Sequence, residues 1–168
     1  MPSAGRPLAW HVLDGLRARG VALARLTHAA GLSSTGDAAL DAALPLPERF
    51  RVPEETVRAI GETRRSGGRI VAVGTTVVRA LEGSALLHGG ELRAGEGITD
   101  LVVGPGFRPR VADGLLTGLH ERGASHFSLL GAFAPRELLE RAYAHAEREG
   151  YTCHEFGDSS LVLRGVGR

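Results

Sequence analysis

The sequence predicts an α/β domain in which helices flank a largely parallel sheet. Stretches with a helical apolar period alternate along the chain with short runs of aliphatic residues, and glycine or proline stands at most of the junctions. Length supports a single domain, because 168 residues, of which 43% are hydrophobic, can bury one ordinary core. We therefore expect residues 1–168 to form one α/β domain.

Local apolar patterns define the first elements. Residues 8–19 place leucine and valine at helical spacing, and Gly20 ends this helix. Residues 21–27 alternate well enough for a strand, which brings His28 to the end of that strand. A short helical turn is expected over residues 38–44.

Proline marks the next two elements. Two prolines force an extended path through residues 45–52. A helix opens at Pro53, has two acidic residues in its first turn and runs toward Arg65. The Ser-Gly-Gly sequence of residues 66–68 ends it. An extended segment is thus predicted to lead directly into a helix.

The domain is organised around the sequence AVGTTVVRALEG, residues 72–83, which is entered through an apolar run. It predicts a buried central strand, a tight turn at Gly74 and a helix start at Thr75 and Thr76. Such a turn places free backbone N–H groups and the positive end of the helix dipole at the carboxyl end of the strand, where α/β proteins bind ligands. A helix cap without a ligand explains the threonines equally well.

The helix after this turn carries Arg79 and Glu82 one turn apart, with valine and leucine on its buried face. Two interpretations of this polar pair stay open: it faces a ligand, or it is a surface ion pair.

The C-terminal half continues the alternation of elements. A hairpin of residues 85–87 and 91–93 is expected first, followed by an apolar run at 98–103 that a turn at 104–106 closes. A short helix is then expected to be capped by Asp113 and to end before His120. An apolar segment at 125–133, a helix from Pro135 to residue 149 and two strands at 151–156 and 161–163 complete the chain. This order completes the α/β prediction.

Composition excludes several function classes. The formal net charge is +1 and every Lys or Arg residue is arginine, so charge alone predicts neither nucleic-acid nor membrane binding. Cys153 is the single cysteine, and no apolar span of membrane length is present, which favours the cytoplasm. The histidines fall at no zinc-ligand spacing, so no metal is expected, and His126 is interpreted as structural.

Four segments in this order resemble a known family: AVGTTVVRALE, GEGITDLVVGPGF, VADGLLTGLH and GYTCHEFGDSSLVL. They are similar to the C-terminal half of the S-adenosylmethionine:tRNA ribosyltransferase-isomerases of queuosine biosynthesis, and weaker similarity extends upstream over nearly the whole chain. The resemblance implies that the chain is part of the family's main α/β domain. It lacks the small β-barrel domain, which the family's N-terminal part carries.

The resemblance also implies a reaction. The ribosyl group of S-adenosylmethionine is transferred to 7-aminomethyl-7-deazaguanine in tRNA and isomerised, and adenine and methionine are released. This chemistry needs a base beside the sulfonium, help for the leaving adenine, and groups that hold the methionine carboxylate and the ribose hydroxyls. S-adenosylmethionine would be the donor substrate and tRNA the partner.

Matching the family motifs position by position gives the candidate site. The proposed proton-transfer and catalytic residues are His28, His120 and Asp158, and the proposed substrate-binding residues are Gly74, Thr75, Thr76, Arg79, Glu82, Asp113 and Thr117. The turn amides and threonines would hold an anionic or hydroxyl group, and Arg79 a carboxylate or phosphate. We expect Arg79, His120 and Asp158 to converge on one pocket with the threonine turn.

Several positions depart from the family pattern. Pro7 and Ala9 stand where the family has histidine and threonine, Ala43 and Leu46 where it has paired histidines, and residues 122–125 replace a Pro-Lys/Arg-Ser-Thr loop. Three hypotheses therefore stay open: a ribosyltransferase-isomerase or a segment of one, a divergent S-adenosylmethionine or nucleoside-binding enzyme acting on a small molecule, and a non-catalytic binding remnant. If the absent half normally covers the sheet, the chain should self-associate through exposed apolar surface.

Overall fold

The computed structural model describes residues 3–31, 36–37, 39, 46–153 and 157–165. Its helices are α1 (Trp10–Ala18), α2 (Glu54–Arg65), α3 (Thr75–Leu87), α4 (Ser125–Leu130) and α5 (Arg136–Arg148), preceded by a 3-10 turn at Ser3–Gly5. Its strands are β1 (Thr27–His28), β2 (Glu48–Val52), β3 (Val71–Val73), β4 (Gly95–Thr99), β5 (Gly114–Gly118) and β6 (Ser159–Leu163). The mixed α/β class is confirmed.

The first sheet has the order β1-β2-β4 and both of its pairings are antiparallel. β2 alternates buried and exposed residues, so Phe50 and Val52 pack with Ala80 of α3. Gly97 lies opposite Phe50, and a Cβ atom at this glycine would come within 2.5 Å of the phenylalanine ring. The glycine allows the aromatic ring to lie flat across the sheet.

The second sheet has the order β3-β5-β6. β3 and β5 are parallel, whereas β6 runs antiparallel to β5. Gly74 follows β3 with φ of 96°, and its N–H donates to the Leu116 carbonyl at 2.9 Å. The predicted turn at the carboxyl end of this strand is therefore confirmed, but within the described residues β3 is an edge strand and not a central one.

The prediction of a largely parallel sheet is wrong, because β3 with β5 is the one parallel pair among the described strands. The physical reason is that alternating helix and strand signals arise both from parallel crossovers and from strands that return antiparallel. Here β4 pairs antiparallel with β2, and β6 pairs antiparallel with β5. No local signal in the sequence predicts the direction of either pairing.

The predictions are confirmed for elements that local sequence signals specify without help from tertiary contacts. The helices predicted from residue 8, Pro53 and Pro135 correspond to α1, α2 and α5. The hairpin is wrong, since α3 continues through Leu87, and the helix after Asp113 is wrong, since these residues form β5. Of the strand expected over 21–27, only the end forms β1. Of the strand predicted over 151–156, residues 151–153 form no strand and residues 154–156 lie outside the described residues. Of the helical turn predicted over 38–44, only residue 39 is among the described residues.

The main core lies between the second sheet and helices α3, α4 and α5. Leu115 and Leu130 are fully buried there, and the rings of Phe127 and Tyr143 meet edge to face at 4.8 Å. No helix in the described part of the chain is both long and apolar enough to cross a bilayer.

Candidate functional site

A buried ionic cluster joins the first sheet to α3. The Glu48 carboxylate, on β2, accepts hydrogen bonds from His28 Nε2 at 2.6 Å, from the Gly31 N–H at 2.6 Å and from Arg79 Nη1. Arg79 lies in the second turn of α3 and also donates from Nε to the Leu101 carbonyl at 3.0 Å. The side chains of His28, Glu48 and Arg79, hereafter the Glu48 cluster, are 4%, 6% and 12% exposed.

The electrostatics of this cluster favour the ionised form of Glu48. Burial alone would raise the pKa of Glu48, but the Gly31 amide, His28 and Arg79 outweigh burial, and the pKa lies below its ordinary value. An ionised Glu48 can only accept, so a ring proton of His28 is assigned to Nε2.

Two polar atoms of the cluster have no hydrogen-bond partner among the residues that the structure describes. They are His28 Nδ1 and Arg79 Nη2, and both are buried. A buried polar atom without a partner is costly unless a ligand or water satisfies it. The cluster thus leaves one imidazole nitrogen and one guanidinium nitrogen without a described partner.

A second group of side chains lies at the carboxyl end of β5. The Thr117 hydroxyl and His120 Nε2 are 2.9 Å apart, and the His120 and His126 rings stack with centroids 5.0 Å apart. Burial, followed by repulsion from His126, lowers the pKa of His120 to about 4. Burial, followed by repulsion from Arg79, lowers the pKa of His126. Both rings are therefore neutral at neutral pH.

His126 is the residue that sequence reasoning missed. It stacks on His120, and the charge of Arg79 contributes to lowering its pKa. Its spacing from His120 matches no known ligand pattern, so only the fold reveals the pair. Glu48 was also missed as a site residue, because 20 residues separate it from His28 and 31 from Arg79.

Gly74, Thr75 and Thr76, which form the threonine turn, join β3 to the first turn of α3. Val77 and Val78 donate their N–H groups to the Gly74 carbonyl, so the N–H groups of Thr75 and Thr76 precede the first intrahelical bonds. Both threonines are half-buried. A Cβ atom at Gly74 would lie 3.5 Å from that of Ala4, which brings the N-terminal 3-10 turn to this edge.

The structure gives two predicted substrate-binding residues backbone partners instead. Glu82 is 1% exposed, and its carboxylate accepts from the N–H groups of residues 110, 111 and 112 at 2.8 to 2.9 Å. The Asp113 carboxylate accepts from the Ile70 N–H at 2.9 Å, at the amino end of β3. Neither carboxylate faces the carboxyl end where Gly74 and His120 lie.

Asp158 reaches this end of the sheet through its backbone. Its carbonyl accepts from the Leu119 N–H, and its carboxylate accepts from the Thr152 N–H, both at 2.9 Å. The Asp158 carboxylate shapes its own turn, and the convergence of Arg79, His120 and Asp158 on one pocket stays a prediction. A catalytic role for Asp158 stays a prediction. Within the described ranges, no three His, Cys, Asp or Glu side chains are grouped to hold a metal ion.

Known proteins of one family match nearly the whole length of this chain. A family model described as "Queuosine biosynthesis protein" matches residues 1–162. The chain is 43% identical to the S-adenosylmethionine:tRNA ribosyltransferase-isomerase of Azoarcus sp., over 97% of this chain and 48% of that protein. It is 35% identical to the protein of the same name from Trichlorobacter lovleyi, over 96% of this chain and 48% of that protein.

A solved structure agrees with these matches. The crystal structure of S-adenosylmethionine tRNA ribosyltransferase from Thermotoga maritima is similar with a TM-score of 0.78 at 34% identity. The match covers 95% of this chain and 51% of that one. The chain spans about half the length of the curated relatives it matches. The resemblance carried by the four motifs is confirmed, and the chain belongs to the queuosine biosynthesis protein family.

Proposed function

We propose that this chain supplies the donor site and the proton-transfer group of an S-adenosylmethionine:tRNA ribosyltransferase-isomerase in queuosine biosynthesis. The names of its relatives supply the reaction class. Because the chain spans about half of their length, the proposal covers the donor side of the reaction. tRNA would be the acceptor, in the cytoplasm, and its binding would require the other half of the protein.

The observation that carries the proposal is the pair of unpartnered atoms in the Glu48 cluster. With Nε2 bonded to Glu48, the unpartnered Nδ1 of His28 is the atom that we assign to removal of the proton beside the sulfonium. Arg79 Nη2 is a free donor for a carboxylate such as that of the methionine moiety. The same bound molecule would satisfy both atoms.

The remaining groups suit binding better than proton transfer. A His120 ring with a pKa of about 4 carries almost no proton at neutral pH, and so it is a poor general acid there. The stacked His120 and His126 rings instead offer an aromatic surface against which a nucleobase can stack. The amides of Thr75 and Thr76 would hold ribose hydroxyls or an anionic group.

Calorimetric titration of S-adenosylmethionine into the chain tests the proposal. Arg79→Ala should weaken binding by about 1–3 kcal/mol, which is the usual effect of losing a charge-assisted hydrogen bond. Arg141→Ala, on the exposed face of α5, is the matched control and should bind as the wild type does. Circular dichroism checks that each variant is folded. A folded wild type that binds neither S-adenosylmethionine nor adenosine would refute the proposal that this chain holds the donor unaided.

A further inference from the structure

We propose that Tyr143 is a positioning residue for the stacked rings of His120 and His126, because it contacts both segments of chain that carry them. His120 follows β5, His126 lies in the first turn of α4, and a short loop of residues 121–124 joins the two segments. Tyr143 lies on α5, a helix that carries none of the residues assigned to the donor site. Its effect on that site is therefore exerted through the two histidines.

The hydroxyl of Tyr143 holds the first ring through the backbone. The His120 N–H donates to Tyr143 Oη at 3.2 Å, and Tyr143 is 4% exposed. Burial raises the pKa of Tyr143, so its hydroxyl stays protonated and accepts as a neutral group at neutral pH. The preceding N–H, that of Leu119, still donates to the Asp158 carbonyl beside β6. His120 is thus the first residue after β5 whose backbone N–H is bound by a side chain.

The ring of Tyr143 holds the second segment. It meets the Phe127 ring edge to face, with the centroids 4.8 Å apart, and both rings are buried. Phe127 directly follows His126 in α4, so fixing Phe127 also fixes the backbone from which the His126 side chain starts. One buried side chain therefore joins the two segments whose rings stack.

The loop between the two rings is bound to the same helix by weaker contacts. Arg122 pairs with Glu147 at 2.8 Å and with Glu140 at 3.7 Å. The side chains of Arg122, Glu140 and Glu147 are 42%, 33% and 61% exposed, and ion pairs so close to water contribute little. Glu140, Tyr143 and Glu147 are three and four residues apart, so they share one face of α5. Tyr143 is the buried member of this face.

The position of the two histidine rings matters for the role proposed for them. Their centroids are 5.0 Å apart and their planes differ by 24°, so they form one surface only while both segments keep their places. A nucleobase binds more tightly to a surface that is ordered before binding, because less freedom is then lost in the complex. Tyr143 thus favours binding of the donor's adenine without touching it, and this step rests on the proposed donor function.

NMR titration of the histidine rings in the full chain tests the proposal. Tyr143→Phe removes the hydroxyl and keeps the ring contact with Phe127. The proton affinity of His120 should rise at least about tenfold, because a released ring gains contact with water and its pKa moves from about 4 toward 6.5. The ring of His145, 63% exposed, is the internal reference and should titrate unchanged. Tyr151→Phe, at a residue 51% exposed, is the matched control and should leave His120 as in the wild type.

Hydrogen exchange adds a measurement that the wild type alone can provide. The His120 amide should exchange at least about tenfold more slowly than the amide of Gly123, which is exposed in the loop. Tyr143→Phe should remove most of this protection. Calorimetric titration with adenosine should show binding at least about fivefold weaker in Tyr143→Phe than in the wild type or in Tyr151→Phe.

Two results would overturn the positioning role. One is an unchanged pKa of His120 in folded Tyr143→Phe, since a side chain that only stabilises the fold would leave this pKa where it is. The other is a wild-type His120 amide that exchanges as fast as that of Gly123. A wild type that binds no adenosine would instead remove the proposed donor function, and the ring titration would still decide the role of Tyr143.

Discussion

Replacing Glu48 with glutamine tests the contact on which the candidate site depends. The carboxylate accepts hydrogen bonds from His28, Gly31 and Arg79, and it is 6% exposed. Glutamine has the same size but only one accepting oxygen, and its amide nitrogen would face a donor. A charge-assisted hydrogen bond contributes about 1.5–3 kcal/mol, and breaking a buried ion pair costs about 3–5 kcal/mol. We expect the free energy of unfolding to fall by about 3 kcal/mol.

Urea unfolding followed by circular dichroism measures this loss. Glu96→Gln, on the exposed strand β4 of the same sheet, should change the free energy of unfolding by less than about 0.5 kcal/mol. The pKa of Glu48 lies below 4.5, so the wild type's advantage should be complete above pH 4.5 and should disappear as the pH falls through the folded pKa. If Glu48→Gln unfolds at the wild-type urea concentration, the carboxylate does not hold the cluster.

Two further predictions concern buried ionisable groups. Because the pKa of His120 is lowered from 6.5 to about 4, the unfolded chain binds more protons between these values, and the free energy of unfolding should fall as the pH is lowered from about 6.5 toward 4. His120→Gln should flatten this dependence in urea titrations at several pH values, whereas a variant of exposed His145 should not. Glu82→Gln should lose about 1–3 kcal/mol of stability, since one of three buried N–H groups loses its acceptor, while S-adenosylmethionine binding by the folded variant stays unchanged. Weaker binding with unchanged stability would instead place Glu82 at the ligand.

The sequence predicts those parts of the fold that local signals decide. The acids and proline at the start of α2, and the proline before α5, specify helices without help from the rest of the chain. β5 shows the opposite case, because its Gly-Leu-Leu-Thr-Gly sequence suits a helical turn as well as a strand. Pairing on both sides, with β3 and with β6, decides in favour of the strand.

The residues of the candidate site came from the family motifs and not from local patterns. The motifs identified His28, Arg79 and His120, although the strand expected before His28 forms only at its end and the helix expected before His120 is the strand β5. They did not reveal that Glu48 binds both His28 and Arg79, or that His126 stacks on His120. The first relation depends on how β1, β2 and α3 come together, and the second on how α4 lies against the segment after β5. No spacing along the chain encodes either relation.

The geometry of Arg79 shows what a guanidinium contributes to the Glu48 cluster. Nη1 binds Glu48, Nε binds the Leu101 carbonyl, and Nη2 is left without a described partner. Two of the three nitrogens therefore fix the plane of the group, and this sets the direction of the third. A lysine ammonium also has three N–H donors, but they leave a single nitrogen and lack the planar fork that reaches Glu48 and the Leu101 carbonyl from separate atoms. Arg79 thus links the stability of the buried cluster to the proposed recognition of the donor.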